Sequence, residues 1–282
     1  MSEIGDSMNG AAFFDLDKTI IARSSALTFA TPFSKAGLMS KKTLLSSAYS
    51  QLLFSLSTAD HDRTEQLRNH LSKMVIGWDR AEVQEIVRET LQTRIEPIIF
   101  KEVLDIFKTH RRSGRKIIIV SSTSDEIVGP IAELLQVDDY LATKMNFIEG
   151  KFTGEIEKYL YGPAKAEAIK DYALAQNISL ANSFAYTDSI TDAPMLELCG
   201  HSYAVNPDLE LLRLSVAKGW NVLHFKQPIS IRDRVEKIPK KSTIISGFTV
   251  GSVLVGALVN RFISRHSKSD SQDQDLFEHR TK

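Results

Sequence analysis

The stretch that decides the fold is AAFFDLDKTII, residues 11 to 21. Its apolar start predicts a short buried strand over residues 11 to 15, and two carboxylates, Asp15 and Asp17, stand where that strand ends. Like charges this close make each other harder to ionise unless a cation lies between them. The stretch therefore predicts an acidic site at a strand end, although taken alone it could also be a turn with two solvated side chains.

The rest of the chain favours a parallel sheet. Further strand candidates, with helical patterns between them, cover residues 116–120, 183–187, 201–205 and 220–225. Strands that alternate with helices indicate a Rossmann-like, doubly wound α/β fold with helices on both faces of the sheet. Residues 144–161 alternate loosely around Gly150 and Gly154, which predicts a β-hairpin.

A long helical segment separates the first two strand candidates. Residues 22 to 112 contain no convincing strand, and helical patterns cover 41–56, 62–75, 79–93 and 97–112. This is far more chain than a crossover connection needs. We therefore predict that residues 22–95 form an inserted α-helical cap over the carboxyl edge of the sheet, and that 10–21 and 96–228 form the catalytic core.

Composition narrows the classes of function. The chain of 282 residues is 43% hydrophobic and 25% charged, as globular proteins are, and its formal net charge of zero argues against nucleic acid as the main partner. The single cysteine, Cys199, excludes an intrachain disulfide and argues against a thiolate metal cage. The start of the chain does not look like a secretory signal, so we expect a cytoplasmic catalytic domain.

The C-terminal segment differs in composition from the rest. Residues 242–260 carry no charge and contain the GxxxG pattern of Gly247 and Gly251, so they are a candidate transmembrane helix at the short end of a bilayer span. Such a helix would anchor the protein to the inner face of the cell membrane. It would follow a basic linker, 229–241, and precede a polar, disordered tail, 261–282. An amphipathic or buried helix, or a self-association segment, are the alternatives.

Several polar residues follow strand candidates or begin a later helix: Asp15, Asp17, Ser121, Lys165, Asp188 and Asp192. The carboxyl ends of parallel strands lie at one edge of a sheet, and ligands bind there. A carboxylate cluster needs a cation, and oxygen ligands favour Mg²⁺ shared with a substrate phosphate. The pattern predicts phosphoryl transfer in which Ser121 and Lys165 bind the phosphate and Asp15 attacks phosphorus.

Each of these residues also has an interpretation that requires no catalysis. Ser121 could cap the following helix, and Lys165 could be an ordinary surface lysine. Asp188 and Asp192 are spaced i, i+4 and would repel each other in a helix, which makes a cation site as probable as a structural role. The combination of residues, in this order and on these elements, favours catalysis.

These residues resemble the four motifs of the haloacid dehalogenase-like (HAD) hydrolase superfamily. DLDKT resembles its DxDxT motif, IIIVSS the strand that ends in Ser or Thr, GPAK the lysine motif, and YTDSITDAPML the terminal acidic motif. The resemblance extends over roughly residues 10 to 225. The helical insertion after the first motif, together with GKFTGEI and GHSYAVNPDLELL, resembles the phosphoserine phosphatase-like branch.

The resemblance implies a role for each matching residue. Asp15 would be the nucleophile, and Asp17 would offer its backbone carbonyl to Mg²⁺ and its side chain as general acid and then general base. The metal site would comprise Asp15, Asp17, Asp188 and Asp192, and the phosphate site Ser121, Lys165 and Thr19, the last by orienting the first loop. Asp192 would support either the metal's water or Lys165.

The match breaks at the positions that select the substrate. Phosphoserine phosphatases resemble one another in a glutamate that holds the substrate amine and a cap arginine that holds its carboxylate. These positions fall at Ser24 and His70 here, with Arg68 and Arg63 nearby. We therefore expect a small phosphorylated metabolite as the substrate, and the differences argue against phosphoserine itself.

Two alternatives stay open. Anchoring to a membrane would make a phospholipid headgroup or lysophosphatidate a plausible substrate. A catalytically silent regulator or scaffold would keep the same fold, although every residue that the chemistry needs is present.

Overall fold

A single seven-stranded sheet forms the centre of the part of the chain that the computed structural model describes, residues 9–39, 72–226 and 228. Its strands are β1 (Ala11–Phe14), β2 (Lys116–Ser124), β3 (Asp139–Ile148), β4 (Lys151–Lys158), β5 (Phe184–Thr187), β6 (His201–Val205) and β7 (Asn221–Leu223). Their order across the sheet is β4-β3-β2-β1-β5-β6-β7, and every neighbouring pair is parallel except β3 and β4. The predicted Rossmann-like α/β fold is confirmed.

Helices cover both faces of this sheet. They are α1 (Ser25–Lys35), α2 (Arg80–Thr90), α3 (Lys101–Arg112), α4 (Asp125–Leu135), α5 (Pro163–Ala175), α6 (Ala193–Leu198) and α7 (Leu209–Lys218). Successive side chains of β1 enter opposite hydrophobic clusters, since Ala12 and Phe14 pack with α3 and α4, and Ala11 and Phe13 pack with α5 and α6. A central strand buried on both faces explains why AAFF is apolar throughout rather than alternating.

The inserted segment contains helices that the sequence predicts and one that it does not. The helix predicted at 79–93 is α2, which Asp79 caps through its carboxylate and which continues into a π-helical turn, Leu91–Ile95. The helix predicted at 97–112 is α3. The prediction at 41–56, and that at 62–75 apart from its last helical residues, lies outside the described residues.

Helix α1 was missed because Pro32 lies within it, and proline is disfavoured in helix interiors. Burial of its apolar face compensates: Phe29 and Phe33 are buried, and the Phe33 ring lies 5.4 Å from that of Trp78. Packing therefore decides the structure of this segment against its local preference.

The predicted hairpin is formed by β3 and β4, which pair antiparallel around a tight turn at Glu149 and Gly150, both with positive φ. Strand β3 begins earlier than predicted because its first half pairs parallel with β2. One strand thus belongs to the parallel sheet and to the hairpin.

The C-terminal predictions fall outside the described residues. The chain divides into a unit Met1–Val235 and a unit Glu236–Lys282, and the second unit contains the candidate transmembrane segment, 242–260, and the tail. Among the described helices, none has the length and apolar character needed to cross a membrane.

Candidate active site

A buried lysine joins two of the predicted carboxylates at the carboxyl edge of the sheet. The Nζ atom of Lys165 lies 2.6 Å from Oδ1 of Asp15 and 2.7 Å from Oδ2 of Asp192. Asp15 follows β1, Asp192 ends a short 3₁₀ turn after β5, and Lys165 lies in the first turn of α5. Parallel strands bring these distant residues together because their carboxyl ends meet at one edge.

The local sequence explains how Lys165 reaches this position. Pro163 begins α5, and its fixed φ suits the first position of a helix. Gly162 precedes it with a φ of 57° and approaches the backbone carbonyl of Thr191, where an added Cβ would lie 3.4 Å from that oxygen. The backbone N–H of Lys165 then donates to the Gly162 carbonyl at 3.0 Å, which starts the helix within reach of the carboxylates.

Electrostatics in this cluster keep the lysine charged. Burial disfavours the ammonium of Lys165, but the charges and hydrogen bonds of Asp15 and Asp192 raise its pKa above the ordinary range. Burial raises the pKa of Asp15 to about 7, against the opposing charge of Lys165. The site therefore contains a fixed cation beside a desolvated carboxylate.

The Asp192 carboxylate hydrogen-bonds to two buried side chains of this cluster. Its Oδ2 accepts a second hydrogen bond, from Oγ1 of Thr187 at 2.9 Å, and both side chains are buried. Of the two roles that the resemblance leaves open for Asp192, the geometry favours support of Lys165. The contribution of Thr187 was missed, although its position directly before Asp188 at the end of β5 was a usable signal.

Asp188 lies close enough to Asp15 for their charges to interact. Burial raises the pKa of Asp188 well above its usual value, and the charge of Asp15 is the next cause. The Nζ atom of Lys18 lies 4.0 Å from the Asp188 carboxylate, on a side chain that is 64% exposed. The two carboxylates therefore repel each other, and a small cation would relieve that repulsion.

The loop that carries Asp188 is braced by the start of α7. The backbone N–H of Asp208 donates to the carbonyl of Asp188 at 2.9 Å, while its Oδ2 accepts from the N–H of Ile190 at 2.9 Å. Asp208 also caps α7 through the N–H of Leu211 at 2.7 Å. This residue fixes the loop on a helix and was not identified from the sequence.

The donors at this edge fit Mg²⁺ better than a softer metal. Within residues 9–39, 72–226 and 228, no group of three or more His, Cys, Asp or Glu side chains is arranged to hold a metal ion. The oxygen atoms that could bind a metal here are the carboxylates of Asp15 and Asp188. The resemblance adds the backbone carbonyl of Asp17. An all-oxygen set with few protein ligands is typical of Mg²⁺, which keeps waters and takes further oxygens from a phosphate.

The predicted acid, Asp17, is held by the residue that begins α1. Its Oδ1 accepts a hydrogen bond from the backbone N–H of Ser25 at 2.9 Å. Burial raises the pKa of Asp17, and hydrogen bonds from the N–H and hydroxyl of Ser25 oppose that shift. The hydroxyl of Ser25 also lies 3.0 Å from that of Thr123. Neither Ser25 nor Thr123 was identified from the sequence, although each lies one or two positions from a residue that was.

Three of the remaining predicted site residues, Ser121, Thr19 and Ser24, lie in the described part of the chain. Ser121 is 2% exposed, and its Oγ accepts the backbone N–H of Thr123 at 3.1 Å. Thr19 is buried, and its hydroxyl has no hydrogen-bond partner in the described part of the chain. Ser24 precedes α1, and its carbonyl accepts the N–H and hydroxyl of Thr28. The other predicted substrate residues, Arg63, Arg68 and His70, lie outside the described residues.

The family of the chain follows from a comparison of its sequence with known protein families. The chain matches the family model described as haloacid dehalogenase-like hydrolase over residues 12–197. The protein belongs to this family, and the predicted enzyme class of hydrolase is confirmed.

Individual relatives are similar to this chain over most of its length. The chain is 44% identical over 257 residues to a probable phosphatase of Mycobacterium tuberculosis (strain ATCC 25618 / H37Rv), covering 90% of this chain and 89% of the relative. It is 43% identical over 250 residues to the inhibition of morphological differentiation protein of Streptomyces azureus, covering 88% and 90%. A solved phosphoserine phosphatase, captured as a phospho-aspartyl intermediate analogue, has a similar fold, with a TM-score of 0.58, 18% identity and coverage of 82% and 100%. The predicted phosphoserine phosphatase-like fold is confirmed.

Proposed function

We propose that this phosphatase of the HAD family hydrolyses phosphomonoesters with Mg²⁺ through a covalent aspartyl phosphate on Asp15. One observation carries the proposal: the buried ammonium of Lys165 bonds to both Asp15 and Asp192. Buried charged groups cost stability and are kept when chemistry needs them. The same observation argues against a catalytically silent scaffold.

In the first step, a carboxylate oxygen of Asp15 attacks phosphorus and the bond between phosphorus and the ester oxygen breaks. Asp17 donates its proton to the departing oxygen, so an alcohol leaves rather than an alkoxide. Lys165 and the hydroxyl of Ser121 stabilise the charge on the transferred phosphoryl group. Lys165 also holds the nucleophile in place for the attack.

In the second step, water attacks the phosphorus of the acyl phosphate and the bond to Asp15 breaks. Asp17, now ionised, takes the proton of that water and is ready for the next cycle. Inorganic phosphate leaves. Asp192 acts throughout by fixing Lys165, with Thr187 holding the same carboxylate oxygen.

We assign the metal to Asp15, Asp188 and the backbone carbonyl of Asp17. Bound there, Mg²⁺ would offset the repulsion between the carboxylates and draw charge from the phosphoryl oxygens. The raised pKa of Asp188, caused by burial and then by Asp15, supports this assignment.

The proposed substrate is a small phosphorylated metabolite other than phosphoserine. The position at which a glutamate would hold a substrate ammonium is occupied by Ser24, which is neutral. We also propose that residues 22–95 form the cap that admits the substrate, on a core of 10–21 and 96–228. Support comes from α2, whose Arg80 bonds to Glu126 at the start of α4, close along the chain to Ser121.

The test compares hydrolysis of 4-nitrophenyl phosphate by the wild type and by Asp15→Asn, with Mg²⁺ and with EDTA. We expect magnesium-dependent turnover that Asp15→Asn lowers roughly 10³-fold or more. The matched control is Asp105→Asn, which changes an exposed aspartate of α3 and should leave the rate unchanged. Trapping a labelled acyl phosphate with hydroxylamine tests the covalent step. Undiminished turnover by Asp15→Asn would exclude this mechanism.

A further inference from the structure

A chain of hydrogen bonds connects the acid Asp17 to the phosphate-binding Ser121 through Ser25 and Thr123. We propose that Ser25 is a positioning residue that sets the orientation of the Asp17 carboxyl for proton transfer, and that Thr123 holds Ser25 in place. The proposal rests on the function proposed above, because it requires Asp17 to act as the acid.

Ser25 is well placed to orient this carboxyl group. It is fully buried and begins α1, so its backbone N–H has no partner within the helix. That N–H donates to Oδ1 of Asp17 at 2.9 Å. Within the described residues, Ser25 is the one residue for which a hydrogen bond to the Asp17 carboxylate is recorded. The terminal side-chain torsion of an aspartate has only a broad preference, so this contact narrows the orientations open to the Asp17 carboxyl group.

The hydrogen bond to Ser25 distinguishes the two oxygens of the Asp17 carboxyl group. Because Oδ1 of Asp17 accepts from the N–H of Ser25, Oδ2 is the oxygen left for contact with the substrate. General acid catalysis depends on such alignment of the proton with the departing oxygen. Ser25 therefore acts on the reaction through Asp17 and does not itself contact the reacting atoms.

Thr123 connects the contact between Ser25 and Asp17 to the proposed phosphate-binding residue Ser121. Its Oγ1 lies 3.0 Å from Oγ of Ser25, and its backbone N–H donates to Oγ of Ser121 at 3.1 Å. Ser25 and Thr123 lie 98 positions apart in the chain, at the start of the insertion and at the end of β2. The link thus fixes the acid relative to the hydroxyl that binds the phosphoryl group.

A merely structural role for Ser25 predicts a different outcome. Its hydroxyl hydrogen-bonds to Asp17, as its backbone N–H does, and lies 3.0 Å from the hydroxyl of Thr123. If the contact only stabilised the fold, its loss would slow all substrates alike. If it positions the acid, its loss should slow substrates with poor leaving groups most, because these depend on protonation of the departing oxygen.

The experiment measures kcat/KM of the full chain with Mg²⁺ for 4-nitrophenyl phosphate, whose phenol leaves readily, and for phenyl phosphate, whose phenol leaves poorly. Ser25→Ala keeps the backbone N–H but removes the hydroxyl that bonds to Asp17 and contacts Thr123. It should lower kcat/KM about tenfold for phenyl phosphate and at most about twofold for 4-nitrophenyl phosphate. Ser25→Thr keeps the hydroxyl and should restore most of the difference. Thr28→Val removes a hydroxyl from the same helix that bonds only to a backbone carbonyl, and should behave as the wild type.

Thr123→Val is the second test, because it removes the hydroxyl that contacts Ser25 while keeping the shape of the side chain. It tests the positioning role even if Ser25→Ala does not fold. It should change the ratio between the two substrates in the same direction as Ser25→Ala. Equal losses on both substrates in these variants would overturn the role of Ser25. Failure of the proposed function gives another result: Asp17→Asn would keep the leaving-group dependence of the wild type, or the wild type would show no magnesium-dependent turnover.

Discussion

The ammonium of Lys165 lies 2.6 Å from a carboxylate oxygen of Asp15, and both side chains are buried. A charge pair without water around it interacts strongly, but its removal from water is expensive. The pair is therefore poor evidence for stability and good evidence for function.

Lys165→Met should abolish most of the activity and weaken the fold. The variant leaves Asp15 and Asp192 buried without their cation, which costs roughly 3 to 5 kcal/mol of unfolding free energy. It also removes the proposed phosphate ligand, which should lower kcat roughly 10²-fold or more. Urea unfolding and steady-state kinetics measure the two effects. Lys218→Met, at an exposed pair with Glu197, should change neither quantity appreciably.

Asp192→Asn separates support of Lys165 from metal binding. If Asp192 acts through Lys165, the variant should lower kcat about tenfold or more while the Mg²⁺ concentration for half-maximal activity stays within about twofold. Asp188→Asn should instead raise that concentration by roughly 10 to 100-fold. A large rise in the Mg²⁺ concentration for half-maximal activity of Asp192→Asn would instead indicate that Asp192 takes part in metal binding.

Arg80→Ala should destabilise the junction between the insertion and the core. Arg80 donates to Glu126 at 2.9 Å and Asp125 at 3.3 Å, and its guanidinium lies 4.5 Å from the ring centroid of Phe147. Glu126 is 1% exposed and would lose its cation, so we expect a loss of roughly 2 to 4 kcal/mol in unfolding free energy.

Arg80→Lys should recover only part of this loss, because an ammonium cannot reproduce the forked and stacked contacts of the guanidinium. The exposed pair of Lys108 with Asp105 gives the comparison: Lys108→Ala should cost less than about 0.5 kcal/mol. Equal effects of Arg80→Ala and Lys108→Ala on the urea midpoint would contradict the role of Arg80.

His110 should make the fold sensitive to acid. Burial, and then the charge of Arg115, lower the pKa of His110 to about 4, while the unfolded chain binds that proton near pH 6.5. The unfolded state therefore holds more protons between these values, so the unfolding free energy falls as pH drops from about 6.5 to about 4, by roughly 3 kcal/mol. Above pH 6.5 this contribution is complete and constant.

Urea unfolding of His110→Phe across this pH range gives the check. The new ring suits the aromatic surroundings of Phe14 and Phe184, but it leaves the Tyr186 hydroxyl without its contact at 3.0 Å. The variant should lose stability at pH 7 and show a flatter pH dependence than the wild type. Thr109→Ala supplies the control, since it changes an exposed side chain of the same helix that does not titrate, and it should keep the pH dependence of the wild type. A variant as acid-sensitive as the wild type would refute the assignment to His110.

Much of the fold could be predicted because the pattern of apolar residues along a segment reflects how that segment is buried. Strands β1, β5, β6 and β7 lie within their predicted ranges, and so do helices α2 and α3. The misses have a common cause. Helix α1 forms despite Pro32 because its apolar face is buried, and β3 extends beyond the hairpin because β2 pairs with it. Both depend on neighbours that are distant in the chain.

For the candidate site, the order of residue types along the chain shows which polar residues follow which elements. That order was enough to predict Asp15, Asp17, Ser121, Lys165, Asp188 and Asp192. Which of these residues touch depends on how the elements pack: Lys165 contacts Asp15, 150 positions away, and Asp192, 27 positions away. Packing also brings Ser25 into hydrogen-bond contact with Asp17 and with Thr123. A hydrogen bond forms only when the donor–acceptor distance is right to within a few tenths of an ångström. The packing of separate elements sets that distance, and a local pattern of residues does not contain it.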